Sequence, residues 1–174
     1  MRKVLLLRGV NVGGTGKLPM AECRAALAGL GLGDVQSHIQ SGNLVFDDPG
    51  MPDLSGALAR LLADRFALTQ ALFLYTAPEF ARILDACPFA DAGERDGAKV
   101  HLFFLTAPSP ADVAMLRAHA GTERLHLDER ALYLHAPDGI GRSALALALP
   151  RLLKVAHTAR NWNTARAVRA LALG

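Results

Sequence analysis

Along the first 76 residues, short apolar runs alternate with apolar positions at helical spacing. Val4 to Leu7 is an apolar run between charge and glycine, the pattern of a buried strand. Pro19 suits a first helical turn, and Met20, Cys23, Leu27 and Leu30 then recur at helical spacing until Gly31 and Gly33 end the helix. Residues Val35 to Gln40 and Asn43 to Asp47 predict a hairpin around Ser41-Gly42, a two-residue loop whose glycine supplies positive φ. That register places Val35, Ile39, Leu44 and Phe46 on a core face, and Gln36, His38, Gln40 and Asn43 on a polar one. A helix from Asp53 to Phe66 and the run Ala71 to Tyr75 complete the order β-α-β-β-α-β. This is the split-βαβ, ferredoxin-like plait.

Much of that pattern returns after residue 76. A helix is expected from Pro78 to Ala86, then a polar, glycine-containing loop from Cys87 to Ala98 that should be mobile. The strand Val100 to Thr106 precedes a helix capped by Ser109, with Pro110 at its first position, which Gly121 stops. Glu123 to Asp128 and Ala131 to His135 form a second hairpin turning at Glu129-Arg130. Leu125, Leu127, Leu132 and Leu134 then face the core, with Arg124, His126, Tyr133 and His135 outside. Arg142 to Val155 and Trp162 to Leu173 read as helices, so a helix stands where a strand would complete a second plait. The expectation is an α+β protein of two related ferredoxin-like halves, 1–76 and 77–174, with mostly antiparallel sheets and C-terminal helices, forming one compact unit. No residue-level repeat connects the halves.

Composition narrows the class. Of 174 residues, 51% are hydrophobic and 20% charged, well inside the globular range and able to bury a core without disulfides. The four-residue apolar run after Met1-Arg2-Lys3 is too short for an export signal, and no run approaches the ~20 residues that cross a bilayer. A cytoplasmic chain away from membranes is expected. Cys23 and Cys87 lack metal-ligand spacing and read as buried thiols without a catalytic role. No acidic residue follows Asp138, whereas Arg142, Arg151, Lys154, Arg160, Arg166 and Arg169 do, so the net charge of +3 is a C-terminal feature. Such clustering fits an anionic partner or the outer faces of surface helices.

Two segments carry candidate chemistry. The loop Arg8 to Lys17, RGVNVGGTGK, joins a strand to a helix, the context in which backbone N–H groups converge on phosphate. It is not a Walker A loop: Asn11 replaces the first glycine, and Leu18 stands where Ser or Thr would hold magnesium. The second is Thr158 to Thr164, in which Thr158 or Asn161 can cap the last helix. There Arg160 sets positive charge beside a positive helix end, a conflict that an anion would relieve. Trp162 is expected to fill a core gap. His126 and His135, with His101 from the adjacent strand, form a weak three-histidine cluster that reads as surface residues, and no metal or cofactor is expected.

RGVNVGGTGKLPMAE, HIQSGNLVF and TARNWNT, in this order across nearly the whole chain, resemble the bacterial family known as domain of unknown function 1697. The residues that match its pattern are Arg8, Gly9, Asn11, Val12, Gly13, Gly14, Lys17, Met20, Gln40, Ser41, Gly42, Asn43, Thr158, Arg160, Asn161, Asn163 and Thr164. The resemblance implies an α+β fold with related halves and no particular reaction. From the residues themselves, one site is expected from the glycine loop, the Ser41-Gly42 turn and the Thr158–Thr164 segment. Its ligand-binding side chains and backbone would come from Arg8, Asn11, Gly13, Gly14, Lys17, Gln40, Ser41, Asn43, Arg160, Asn161, Asn163 and Thr164. The partner would be a small anionic or phosphorylated, nucleotide-like ligand, or nucleic acid. The alternatives are an enzyme that clamps a small anion with Arg, Lys and Asn, and a protein-interaction module.

Overall fold

The alternation of apolar runs and helical stripes produces two four-stranded antiparallel sheets with helices packed on them. The computed structural model describes residues 1–12 and 16–174. It divides into two units, Met1–Ala81 with Ala167–Gly174, and Arg82–Arg166.

The first unit holds β1 (Arg2–Leu6), α1 (Met20–Gly29), β2 (Gly33–His38), β3 (Asn43–Asp47), α2 (Leu54–Phe66) and β4 (Phe73–Thr76). The strand order is β2-β3-β1-β4, with every neighbouring pair antiparallel. Leu5, Leu44 and Phe46 share one face and pack with Cys23, Leu27, Leu58 and Leu62 of the two helices. Val4, Leu6 and Val45, on the other face, are buried as well. Burial on both faces is why β1 reads as an unbroken apolar run. The carboxylate of Asp53 caps α2 by accepting from Gly56 N, and that of Asp48 accepts from Gly50 N and Met51 N, closing the turn at Pro49.

The first hairpin differs from its expected form. His38 pairs directly with Asn43, so Ile39 to Gly42 make a four-residue loop. Ile39 leaves the core face for an exposed left-handed position at φ 49°. Asn43, expected on a polar surface, is fully buried, with Nδ2 donating to His38 O and Ser41 Oγ. These bonds, with Leu7 N donating to Gly42 O, hold the wider loop that a two-residue turn could not form.

The chain continues through α3 (Ala77–Asp85) and α4 (Ala90–Arg95), so the expected loop after Cys87 contains a helix. Then follow β5 (Val100–Leu105), α5 (Val113–Ala118), β6 (Arg124–Leu127), β7 (Ala131–His135), α6 (Ala144–Leu152), β8 (His157–Asn161) and α7 (Trp162–Leu173). The second sheet runs β6-β7-β5-β8, all antiparallel, which is the order of the first. A strand, not a helix, therefore completes the second plait. HTARN carries no alternating apolar signal, and its pairing is supplied by the backbone of β5. Asp112, not Ser109, caps α5, because the Ser109 hydroxyl donates to Leu153 O instead.

Leu125, Leu127, Leu132 and Leu134 face the second core as expected, with Phe103, Leu105, Leu145 and Leu149. Tyr133 does not face solvent: it is buried, and its hydroxyl donates to Ile83 O at 2.7 Å. His101 pairs with Leu134 and so shares the core face, away from His126 and His135. The three-histidine cluster is thus split between the two faces of the sheet.

His101 is buried, and its Nε2 finds no hydrogen-bond partner among the described residues. Burial holds its pKa below the ordinary 6.5, while a backbone hydrogen bond at Ala98 acts in the opposite direction. Half-buried His135 is lowered too, first by burial and then by Arg124 and Arg95. A histidine that binds its proton more weakly folded than unfolded contributes stability that is complete above pH 6.5 and is lost as pH falls below it, towards the folded-state pKa. His101→Leu should match or exceed the wild type at neutral pH and lose less urea resistance between pH 7 and about pH 5.5, since an apolar group of similar shape strands no polar atom. An unchanged acid loss in that variant would show that His101 does not carry the dependence.

Candidate functional site

In the first unit the structure joins two of the segments that the sequence singled out. The turn after β1 carries three left-handed residues, Gly9 (φ 67°), Asn11 (φ 54°) and Gly16 (φ 61°). Its two ends meet where Asn11 N donates to Gly16 O at 2.9 Å, and any side chain at Gly16 would collide with the Gly9 carbonyl. Gly13 and Gly14 lie outside the described residues.

Asn11 fastens this turn to the hairpin loop. Its Nδ2 donates to Leu18 O at 2.8 Å and to Gln40 O at 2.6 Å, while its Oδ1 accepts from Leu18 N at 2.8 Å. Both amide hydrogens are spent, so Asn11 organises the loops and has no donor left for a ligand. Gly42 completes the joint. It sits at φ 74°, and a Cβ there would stand 2.5 Å from Val10 Cγ2 and 2.8 Å from Leu7 Cβ. Asn43 likewise serves the loop from within. Arg8 and Lys17 do not: both are exposed and make no hydrogen bond or ion pair with a described residue. Gln40 is exposed and Ser41 half-exposed on the same surface. The joined loops thus present two cations and polar groups on a backbone held in left-handed conformations, the kind of strain that persists only where the surroundings over-determine it.

The third segment belongs to the second unit and is built as a clasp. Thr158 and Arg160 lie on one face of β8 and are buried, and Arg160 Nη1 donates to Thr158 Oγ1 at 2.9 Å and Ala159 O at 2.7 Å. Arg160 is therefore no exposed cation at a helix end. Burial lowers its pKa to about 10, which leaves it charged at neutral pH. Asn161 Oδ1 accepts from Thr164 N, capping α7 as the sequence allowed. Trp162 fills the interior against Gly93, where a Cβ would stand 2.6 Å from its ring, and its Nε1 donates to Glu94. Glu94 also pairs with Arg166, and Asn163 packs against Gly97. The segment binds α4 to the junction of β8 and α7. Of the C-terminal cations, Arg160 and Arg166 are consequently engaged by the fold itself.

Sequence reasoning passed over the outward face of the second hairpin except as scattered histidines. There Arg124 and His135 are direct cross-strand partners, as are His126 and Tyr133. The alternating pattern held that information. What it lacked was the entry into α4, which brings Phe89 against Arg124 and His135. Cys23 and Cys87 are buried, and burial pushes the Cys23 thiol up to about 11, so neither is poised as a nucleophile. Among the described residues, no helix is long and apolar enough to cross a membrane.

Over residues 1–133 the chain matches the model of a family described as protein of unknown function (DUF1697). Among solved structures it is similar to the conserved bacterial protein SP0830 from Streptococcus pneumoniae, at 28% identity and a TM-score of 0.76, over 98% of this chain and 97% of that one. No curated protein gives a significant match.

Two substitutions test the structural roles assigned above. Asn11→Ala removes three hydrogen bonds and a residue tolerant of positive φ, and should destabilise the fold by about 1–3 kcal/mol in urea denaturation. Arg160→Ala should cost a similar ~1–3 kcal/mol, whereas Arg166→Ala, at an exposed pair, should cost ~1 kcal/mol or less. Wild-type denaturation midpoints for Asn11→Ala or Arg160→Ala would contradict these assignments.

Proposed function

We propose, from the premise that the chain belongs to the DUF1697 family of proteins of unknown function, that the joined loops of the first unit bind a small anionic or phosphorylated ligand. The carrying observation is the split of roles in those loops. Asn11 and Asn43 give their amide donors to the scaffold, while Arg8 and Lys17 stand exposed without a described partner. An anion placed there meets two cations and, from Gln40 and Ser41, polar groups on backbone tied together by Asn11. Preorganisation of this kind lowers the ordering cost of binding. Arg160, Asn161 and Trp162 take no part in this reading, since their side chains are committed to the clasp in the second unit.

A second reading has its own observation. Val12 and Ile39, both more than half exposed, lie on the same loops. Exposed apolar side chains at loop tips suit docking to a protein surface.

Thermal shift measurements with nucleotides, sugar phosphates and short oligonucleotides discriminate the two. Ligand at about 100 times its Kd adds about 2.7 kcal/mol to the free energy of unfolding, a readily measured rise in Tm. The double variant Arg8→Ala/Lys17→Ala should melt like the wild type without ligand and lose that rise. Should no anion stabilise the wild type, or should the rise persist in the double variant, the anion-binding reading fails. Loss of partner capture on Val12→Ser/Ile39→Ser alone would then favour docking.

A further inference from the structure

The face of β6 and β7 opposite the leucine core carries, at its exposed margin, a cluster that the loops of the first unit do not explain. Arg124 lies over the Phe89 ring, its guanidinium carbon 5.2 Å from the ring centroid, and its Nη2 donates to His135 Nδ1 at 3.1 Å. That bond makes Nδ1 the acceptor, so His135 is neutral with its proton on Nε2. Phe89 and His135 are themselves neighbours, with centroids 6.2 Å apart. Arg95, at the end of α4, is close enough to disfavour protonation of His135 alongside Arg124. Neither arginine pairs with a carboxylate among the described residues.

The positive charges of Arg124 and Arg95 both act on this imidazole, and an anion at Arg124 would offset them. Arg124 is already oriented, by stacking on one side and a hydrogen bond on the other. It keeps N–H donors for a phosphate, in the fork geometry that suits it. Two residues further along β6, on the same face, His126 stacks on Tyr133 with centroids 6.2 Å apart and is exposed. Tyr133 is fixed from below by its bond to Ile83 O, so the outer side of the His126 ring is a supported platform for a planar group. Positions i and i+2 of a strand are about 6.6 Å apart. The phosphate and base of one nucleotide span such a separation. β6 is also the terminal strand of its sheet.

We infer that this face is a nucleotide-binding site in which Arg95 and Arg124 take the phosphate and His126 stacks the base. It is separate in sequence and in structural unit from the anion site proposed for the loops. The chemistry is shared by a free nucleotide and a single-stranded nucleic acid, and the test distinguishes them.

The full chain, at low salt, is titrated with AMP, with a short oligouridylate and with inorganic phosphate, following the histidine ring signals by NMR. Saturable shifts at His126 and His135 are expected. Arg124→Ala and Arg95→Gln should each weaken binding by about tenfold, and His126→Ala by about fivefold or more, through loss of stacking. Equal binding of AMP and the oligouridylate identifies a free nucleotide as the source, and binding of the oligouridylate alone a single strand. Arg8→Ala/Lys17→Ala should bind as the wild type does. Arg95 is exposed, so its variant keeps the test valid even if Arg124→Ala folds poorly. The inference is overturned if neither nucleotide ligand shifts His126, if inorganic phosphate binds as well as AMP with His126→Ala indifferent, or if binding survives in Arg95→Gln and disappears with the loop cations.

Discussion

Two inner strands of each plait pair on both edges, and the more apolar of them carries the sheet. β1 is hydrogen-bonded to β3 and β4, and β5 to β7 and β8, in all cases antiparallel. A strand so placed leaves no backbone group exposed along its length, and its side chains are buried on both faces. Its central stretch must therefore be apolar. Val4-Leu5-Leu6 and Leu102-Phe103-Phe104-Leu105 meet that demand, and every residue of both stretches is buried. Once they are set, the flanking strands need only supply a backbone in register, which relaxes what their side chains have to be.

That relaxation explains the polar interior. β8 brings Thr158 and Arg160 into buried positions, and β3 brings Asn43. Burying such groups costs free energy unless each finds a partner. Here the partners are local: Arg160 is held by Thr158 and its neighbouring carbonyl, and Asn43 by the loop that it closes. Polar side chains that look like ligand-binding groups in a sequence are in this protein largely the means by which irregular backbone is kept in place. Asn11 is the clearest case, since a residue in a glycine-rich loop after a strand invites a phosphate-binding reading and instead ties the loop to Leu18 and Gln40.

The proposed sites rest on exposed side chains that stand outside the two cores. In the first unit these are Arg8 and Lys17, and in the second Arg95, Arg124 and His126. All are exposed, and the arginines and lysine of both sets lack carboxylate partners among the described residues. Electrostatics of this kind act on anions without demanding a deep cavity, and they fall off as salt rises. The repeated plait gives each unit a polar surface of its own.

The plait itself was legible from residues 1–76, because apolar spacing at periods of 2 and 3.6 fixes strand and helix faces wherever a core must be covered. The family resemblance rested likewise on three short segments whose order along the chain is a property of sequence alone. The cap of Asn161, the Trp162 core role and the core-facing leucines of the second hairpin could be read the same way. Three things could not. β8 has no apolar alternation, so only its pairing with β5 makes it a strand. Residues 39–42 became a wider loop because Asn43 and Leu7 bind its backbone, contacts between residues that no local pattern connects. Arg160 moved from a supposed surface cation to a buried one because β8 turned its side chain inward. The sequence determined which segments are apolar enough to drive folding, since that follows from composition and period. Tertiary structure alone decided which polar groups are spent inside the fold and which face solvent, because a hydrogen bond between distant residues leaves no trace in the spacing of either one.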